Sequence, residues 1–150
     1  MPHCRTFLAC LALLFSGLTA PLRGETPVFY TDGDSAINGY DTVAYFTVGE
    51  PVEGRADIAV MWKGVIWRFS SRAHREAFEA NPRAYAPQYG GYCAYGVSRG
   101  HRHITAPEAW YIDHGKLYLI HTRHVRTLWK RDMVGNIARA DANWPSVLAE

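Results

Sequence analysis

With 150 residues, 48% of them hydrophobic and 20% charged, the chain suits one domain around one core, and no second domain is expected. Its formal net charge is only +2, so bulk electrostatics give no case for nucleic acid as a partner.

The first residues, MPHCRTFLACLALLFSGLTAPLRGE, set Arg5 before an apolar run from Phe7 to Ala20. That run is short for a bilayer span, and a charged start followed by a short apolar stretch reads as a secretory signal peptide over residues 1–24. Pro21 suits a position just after the cut poorly, so cleavage is expected between Ala20 and Glu25. An uncleaved membrane anchor is the alternative. No later run reaches membrane length, and the mature protein is expected to be periplasmic or secreted, with no membrane span. Loss of Arg5 and Arg23 takes the sixteen basic residues to fourteen, against fourteen acidic ones. Cys4 and Cys10 leave too, which makes Cys93 the single cysteine of the mature chain. A lone thiol in an oxidising compartment is buried and inert, bound to metal, redox-active, or paired with another chain.

Residues 25–36 mix turn formers with aspartates and read as an extended lead-in, and the domain proper is expected over residues 37–146. "GYDTVAYF" has the β-branched and aromatic content of a strand. "IAVMW-KG-VIWRFS" reads as a hairpin turning at Lys63 and Gly64. Ser70 or Ser71 then caps a short helix that Asn81 and Pro82 stop. After the tyrosine- and glycine-rich stretch "YGGYCAYG", "EAWYID-HG-KLYLIH" predicts a second hairpin turning at His114 and Gly115. Thr122 opens a basic amphipathic helix, with Val125, Leu128 and Trp129 inward and Arg123, Arg126, Lys130 and Arg131 outward. A last helix is expected from about Val134 to Asn143. The sum is a small α+β domain of β-hairpins with packed helices.

"GYDTVAYF", the hairpin ending in "WRFSS", "FEANPRAYAPQYGGYCAYGVSRGH", "PEAW" and "GKLYL" together resemble the secreted bacterial YHS-domain proteins, over almost everything from Ile37 to Trp144. The resemblance implies a hairpin-plus-helix module, extended here at the C-terminus, related to treble-clef zinc modules and often found in proteins that handle heavy metals. Where the wider family has cysteines, this chain has Ala44, Ser70 and His74, so the family's thiolate set is not carried over. The subfamily that keeps "YGGYCAY" is described as including selenoproteins, with Cys93 at the matching position, and this implies redox or soft-metal chemistry.

Read from the residues alone, Cys93, His101 and His103 are the candidate metal ligands. Thiolate with imidazole suits copper before zinc, and two histidines one residue apart share a face if the segment is extended. C-x7-H-x-H is no recognised zinc signature, and the alternative is a buried cysteine beside a solvated loop. His121 and His124, three apart at a helix start, are weaker candidates. The arginines flanking His74 point to an exposed helix face, and His114 looks structural. Tyr89, Tyr92 and Tyr95 recur every third residue and read as core packing before pocket lining. A second function is thiol redox chemistry with Cys93 as nucleophile, aided by Arg99 or a histidine, with Glu108 or Asp113 as the orienting carboxylate if either folds back. The third is a non-catalytic interaction module. An enzyme is not the leading expectation, because no hydrolase elbow, phosphate loop or H-E-x-x-H is present.

Overall fold

The computed structural model describes residues 27–150, so the expected signal peptide lies outside the described residues. The chain enters as two short strands, β1 (Thr31–Asp32) and β2 (Ser35–Ala36), paired antiparallel. The hairpin read from the sequence comes next as β3 (Arg55–Trp62) and β4 (Val65–Phe69), in register Val60 to Trp67 and Trp62 to Val65. Its turn residues Lys63 and Gly64 both take positive φ, 50° and 78°, the conformation a two-residue hairpin turn requires. β2 lies parallel to β4, giving the order β1-β2-β4-β3. The sheet therefore begins upstream of Ile37, within the segment read as a lead-in.

The stretch "GYDTVAYF" departs from its strand-like composition. It folds as a helical turn, α1 (Ala44–Thr47), because the Asp41 carboxylate intercepts the backbone. Asp41 Oδ1 accepts from the N–H groups of Val43 at 2.9 Å and Ala44 at 3.2 Å. An aspartate bonded to the amides just ahead of it starts a helix, whatever the strand propensity of the residues beyond it.

Ser71 caps α2 (Arg72–Ala80) by accepting from His74 N–H, and Pro82 opens α3 (Pro82–Tyr85) where α2 stops. A kinked turn at Gln88–Gly91 leads to α4 (Ala94–Ser98). Gly90, at φ 62°, packs so closely on the lead-in segment that a Cβ there would lie 1.8 Å from the Val28 carbonyl oxygen. The second hairpin is β5 (Trp110–Asp113) and β6 (Lys116–Leu119). Thr122 caps α5 (Arg123–Arg131) through Val125 N–H, and α6 (Met133–Asn143) comes after it. The result is an α+β fold with two small sheets and short helices. No helix among the described residues is long and apolar enough to cross a membrane.

Two apolar clusters fill the interior. The first packs Phe29, Trp67, Phe69 and Phe78 between the four-stranded sheet and α2, with Trp67 and Phe78 stacked at 5.1 Å. The second gathers Tyr89, Tyr92, Cys93, Val97 and Trp129 around α4, α5 and α6. Strand β6 serves both, because successive strand residues face opposite ways: Leu117 and Leu119 enter the first cluster, Tyr118 and the adjoining Ile120 the second.

Candidate functional site

Cys93 is the residue just before α4, a free cysteine with 1% of its surface exposed. Its Sγ accepts two backbone N–H groups, from Gly96 at 3.4 Å and from His121 at 3.3 Å. Burial pushes the Cys93 thiol up from its ordinary range, and the N–H groups of Gly96, His121 and Tyr95 offset only part of that rise. A thiol held this way is a poor free nucleophile at neutral pH.

Backbone bonds bring the histidines to it. Cys93 N–H donates to the His103 carbonyl at 3.0 Å, and His101 N–H donates to the Gly96 carbonyl at 2.9 Å. The loop carrying both histidines is thereby pinned against α4. From the other side the chain leaving β6 brings in His121, whose own N–H reaches the sulfur. The ring of His103 lies 5.9 Å from that of His121 and 6.4 Å from that of His101, centre to centre. Cys93, His101, His103 and His121 line one cleft of about 530 Å³ together with Tyr95, Gly96, Arg99 and Val125. Gly96 makes that approach possible: a Cβ there would stand 2.9 Å from His103 Cδ2 and 3.0 Å from the His101 carbonyl oxygen.

The imidazole of His121 is oriented. Its Nδ1 lies 3.0 Å from the Ile104 carbonyl oxygen, so Nδ1 donates there and Nε2 is the nitrogen not engaged by that bond. Ligating histidines are set up in this manner, with the second nitrogen donating to a carbonyl. Among the described residues no three Cys, His, Asp or Glu side chains already stand close enough to hold an ion. Two imidazoles sharing a tetrahedral ion at ~2.0 Å per nitrogen have ring centres about 5 Å apart, closer than those of His103 and His121 at 5.9 Å and of His101 and His103 at 6.4 Å. The donor set of one thiolate and three imidazoles fits copper or zinc.

The five candidate ligands therefore divide. Cys93, His101 and His103 converge and His121 joins them, whereas His124 is exposed on α5 and does not line the cleft. Tyr89 and Tyr92 are buried, their hydroxyls donating to Asp141 Oδ1 at 2.8 Å and the Pro27 carbonyl at 2.9 Å, and only Tyr95 reaches the cleft. No carboxylate lines the cleft. Glu108 is exposed, and Asp113 faces His114 at 2.8 Å on its own hairpin. His114 itself holds the turn at φ 47° with its side chain 89% exposed.

His74 departs from the exposed helix face its neighbours suggest. Its ring turns inward, with Nδ1 2.6 Å from Asp41 Oδ2, and 19% of the side chain remains exposed. The same Oδ2 accepts from Ser70 N–H at 2.8 Å and Ser70 Oγ at 2.6 Å, and Thr47 Oγ1 meets His74 Nε2 at 3.1 Å. Flanking arginines report the outer face of a helix turn, whereas His74 turns to the buried Asp41, a partner 33 positions upstream that spacing does not reveal. This Asp–His–Ser cluster lies apart from the cleft that Cys93 lines, and it fastens α1, the end of β4 and α2 to one another. Set against family models, curated proteins and solved structures, the chain matches none.

Proposed function

We propose that this chain is an exported, YHS-like protein that binds a soft transition metal, copper before zinc, through Cys93 with His101, His103 and His121. The observation that carries the reading is the convergence of the His103 and His121 rings, 5.9 Å apart, in the cleft that Cys93 lines. Metal coordination resolves the tension at Cys93. A buried thiol resists deprotonation, and a cation held there would favour Cys93 as thiolate, its proton released to solvent. The two N–H groups on Sγ then stabilise the thiolate and tune the site, as hydrogen bonds to a ligating sulfur do. The three imidazoles bind without adding charge. Copper comes before zinc because the set is soft and holds no carboxylate.

The test is elemental analysis of mature protein purified from the periplasm without added metal, beside its Cys93→Ser, His121→Ala and His124→Ala variants. Copper, or zinc in its place, is expected in the wild type and in His124→Ala and is lost from the other two. Equal metal in Cys93→Ser overturns the reading. Thiol redox chemistry finds less support, because burial raises the thiol and no carboxylate orients a histidine toward it.

A further inference from the structure

A second cleft, sharing no lining residue with the one at Cys93, opens between residues of the two apolar clusters. It holds about 440 Å³, a size usual for a small-molecule site. Phe29 and Trp62 reach it from the first cluster, Tyr89 and Trp144 from the second. Both indoles are half-buried. Trp62 leans on Phe29 and Phe78 with ring centres 5.5 Å apart, and Trp144 on Tyr89 at 6.1 Å. Each ring is thus seated on its own core while part of it meets solvent, and aromatic surface held in place in advance binds a flat apolar ring at little cost in ordering. The backbone lining the cleft is strained as well. Tyr89 takes φ 53°, a left-handed conformation that bulky side chains rarely adopt. Such strain collects at ligand sites, where the surroundings hold it.

The charges on the cleft are unequal. Lys63 and Arg83 line it and take part in none of the ion pairs among the described residues. Its one carboxylate, Asp141, already accepts the Tyr89 hydroxyl at 2.8 Å. Lys63 Nζ stands 5.0 Å from the centre of the Trp62 ring, which sets a positive charge beside the aromatic wall. An ammonium and a guanidinium suit a carboxylate, and exposed indole surface suits a flat ring. We propose that this cleft binds a small aromatic carboxylate, its ring on Trp62 and Trp144 and its anionic end on Lys63 and Arg83.

Naphthoate is the probe and its uncharged amide the control, each titrated into the mature protein while the tryptophan indole N–H signals are followed by NMR. No metal is added, so the outcome is independent of the metal reading. Naphthoate is expected to shift the signals of Trp62 and Trp144, to leave that of Trp110, which lies outside the cleft, in place, and to bind at least tenfold more tightly than the amide. Lys63→Asn, a change that the left-handed turn position at φ 50° tolerates, combined with Arg83→Gln is expected to abolish that preference. Equal affinity of naphthoate and its amide for the wild type overturns the carboxylate assignment. A preference undiminished in the double variant overturns the roles of Lys63 and Arg83. No shift at Trp62 and Trp144, or an equal shift at Trp110, overturns the site itself.

Discussion

Two buried side chains, Cys93 and Asp41, carry most of the unusual chemistry, and their environments differ. Cys93 loses solvation with only N–H groups in return, so its thiol titrates above the ordinary range. In metal-free protein, alkylation by iodoacetamide at neutral pH is expected to be at least tenfold slower than in the urea-unfolded chain, and to rise only at alkaline pH. A rate equal to that of the unfolded chain contradicts the buried placement. The linkage has a definite sign. The folded thiol binds its proton more tightly than the unfolded one, so the stability gained is complete below the unfolded value and is lost as pH rises through the folded value. Cys93→Ala should therefore flatten the alkaline limb of the stability profile, read from urea midpoints. Asp41 instead has five donors, from Val43, Ala44, the backbone and hydroxyl of Ser70, and His74. Asp41→Ala strands these buried groups and is expected to cost roughly 3–5 kcal/mol, measured by urea unfolding. Glu53→Ala, which removes only an exposed 3.4 Å contact from Tyr40, should cost less than about 0.5 kcal/mol.

Elements defined by local signals were legible in the sequence, and those defined by distant partners were not. Both hairpins turn where Lys63-Gly64 and His114-Gly115 mark them, and Ser71 and Thr122 cap the helices they precede. The exception is α1, where composition favours a strand and one aspartate decides otherwise. The candidate site was legible in the same proportion. Cys93, His101 and His103 are close in sequence and meet because backbone bonds fold their loop onto α4. His121 arrives on the chain leaving β6, 28 positions beyond Cys93, and spacing treats it no differently from His124. The contact of α4 with that loop depends on Gly96, which has no side chain to signal it. Gly96→Ala should displace the His103 ring and lower metal affinity at least tenfold, with α4 still formed, as titration with copper and far-ultraviolet circular dichroism would report. Unchanged affinity would show that His103 is not a ligand.

At the scale of the molecule, the site is built into the second core and the second core is joined to the first. Cys93 belongs to the cluster with Val97, Tyr118, Ile120 and Trp129, while β6 sends Leu117 and Leu119 the other way into the cluster with Trp67 and Phe78. Neither half can loosen without exposing a face of β6. Unfolding is therefore expected as one transition, seen alike by tryptophan fluorescence and by circular dichroism. Leu119→Ala, on the far face of β6 from the cleft, should lower the midpoint of both probes together, at a cost of about 2–5 kcal/mol. Metal bound at Cys93 must then stabilise the whole fold and not merely its own loop. An ion present at a hundred times its dissociation constant adds ~2.7 kcal/mol to any state that binds it while the unfolded chain does not. Copper should raise the melting temperature of the wild type by several degrees, with fluorescence and circular dichroism moving in step. Cys93→Ser should lose that rise even where its own melting temperature is near that of the metal-free wild type. A rise confined to one probe would mean that the two cores unfold separately, and that β6 does not couple them.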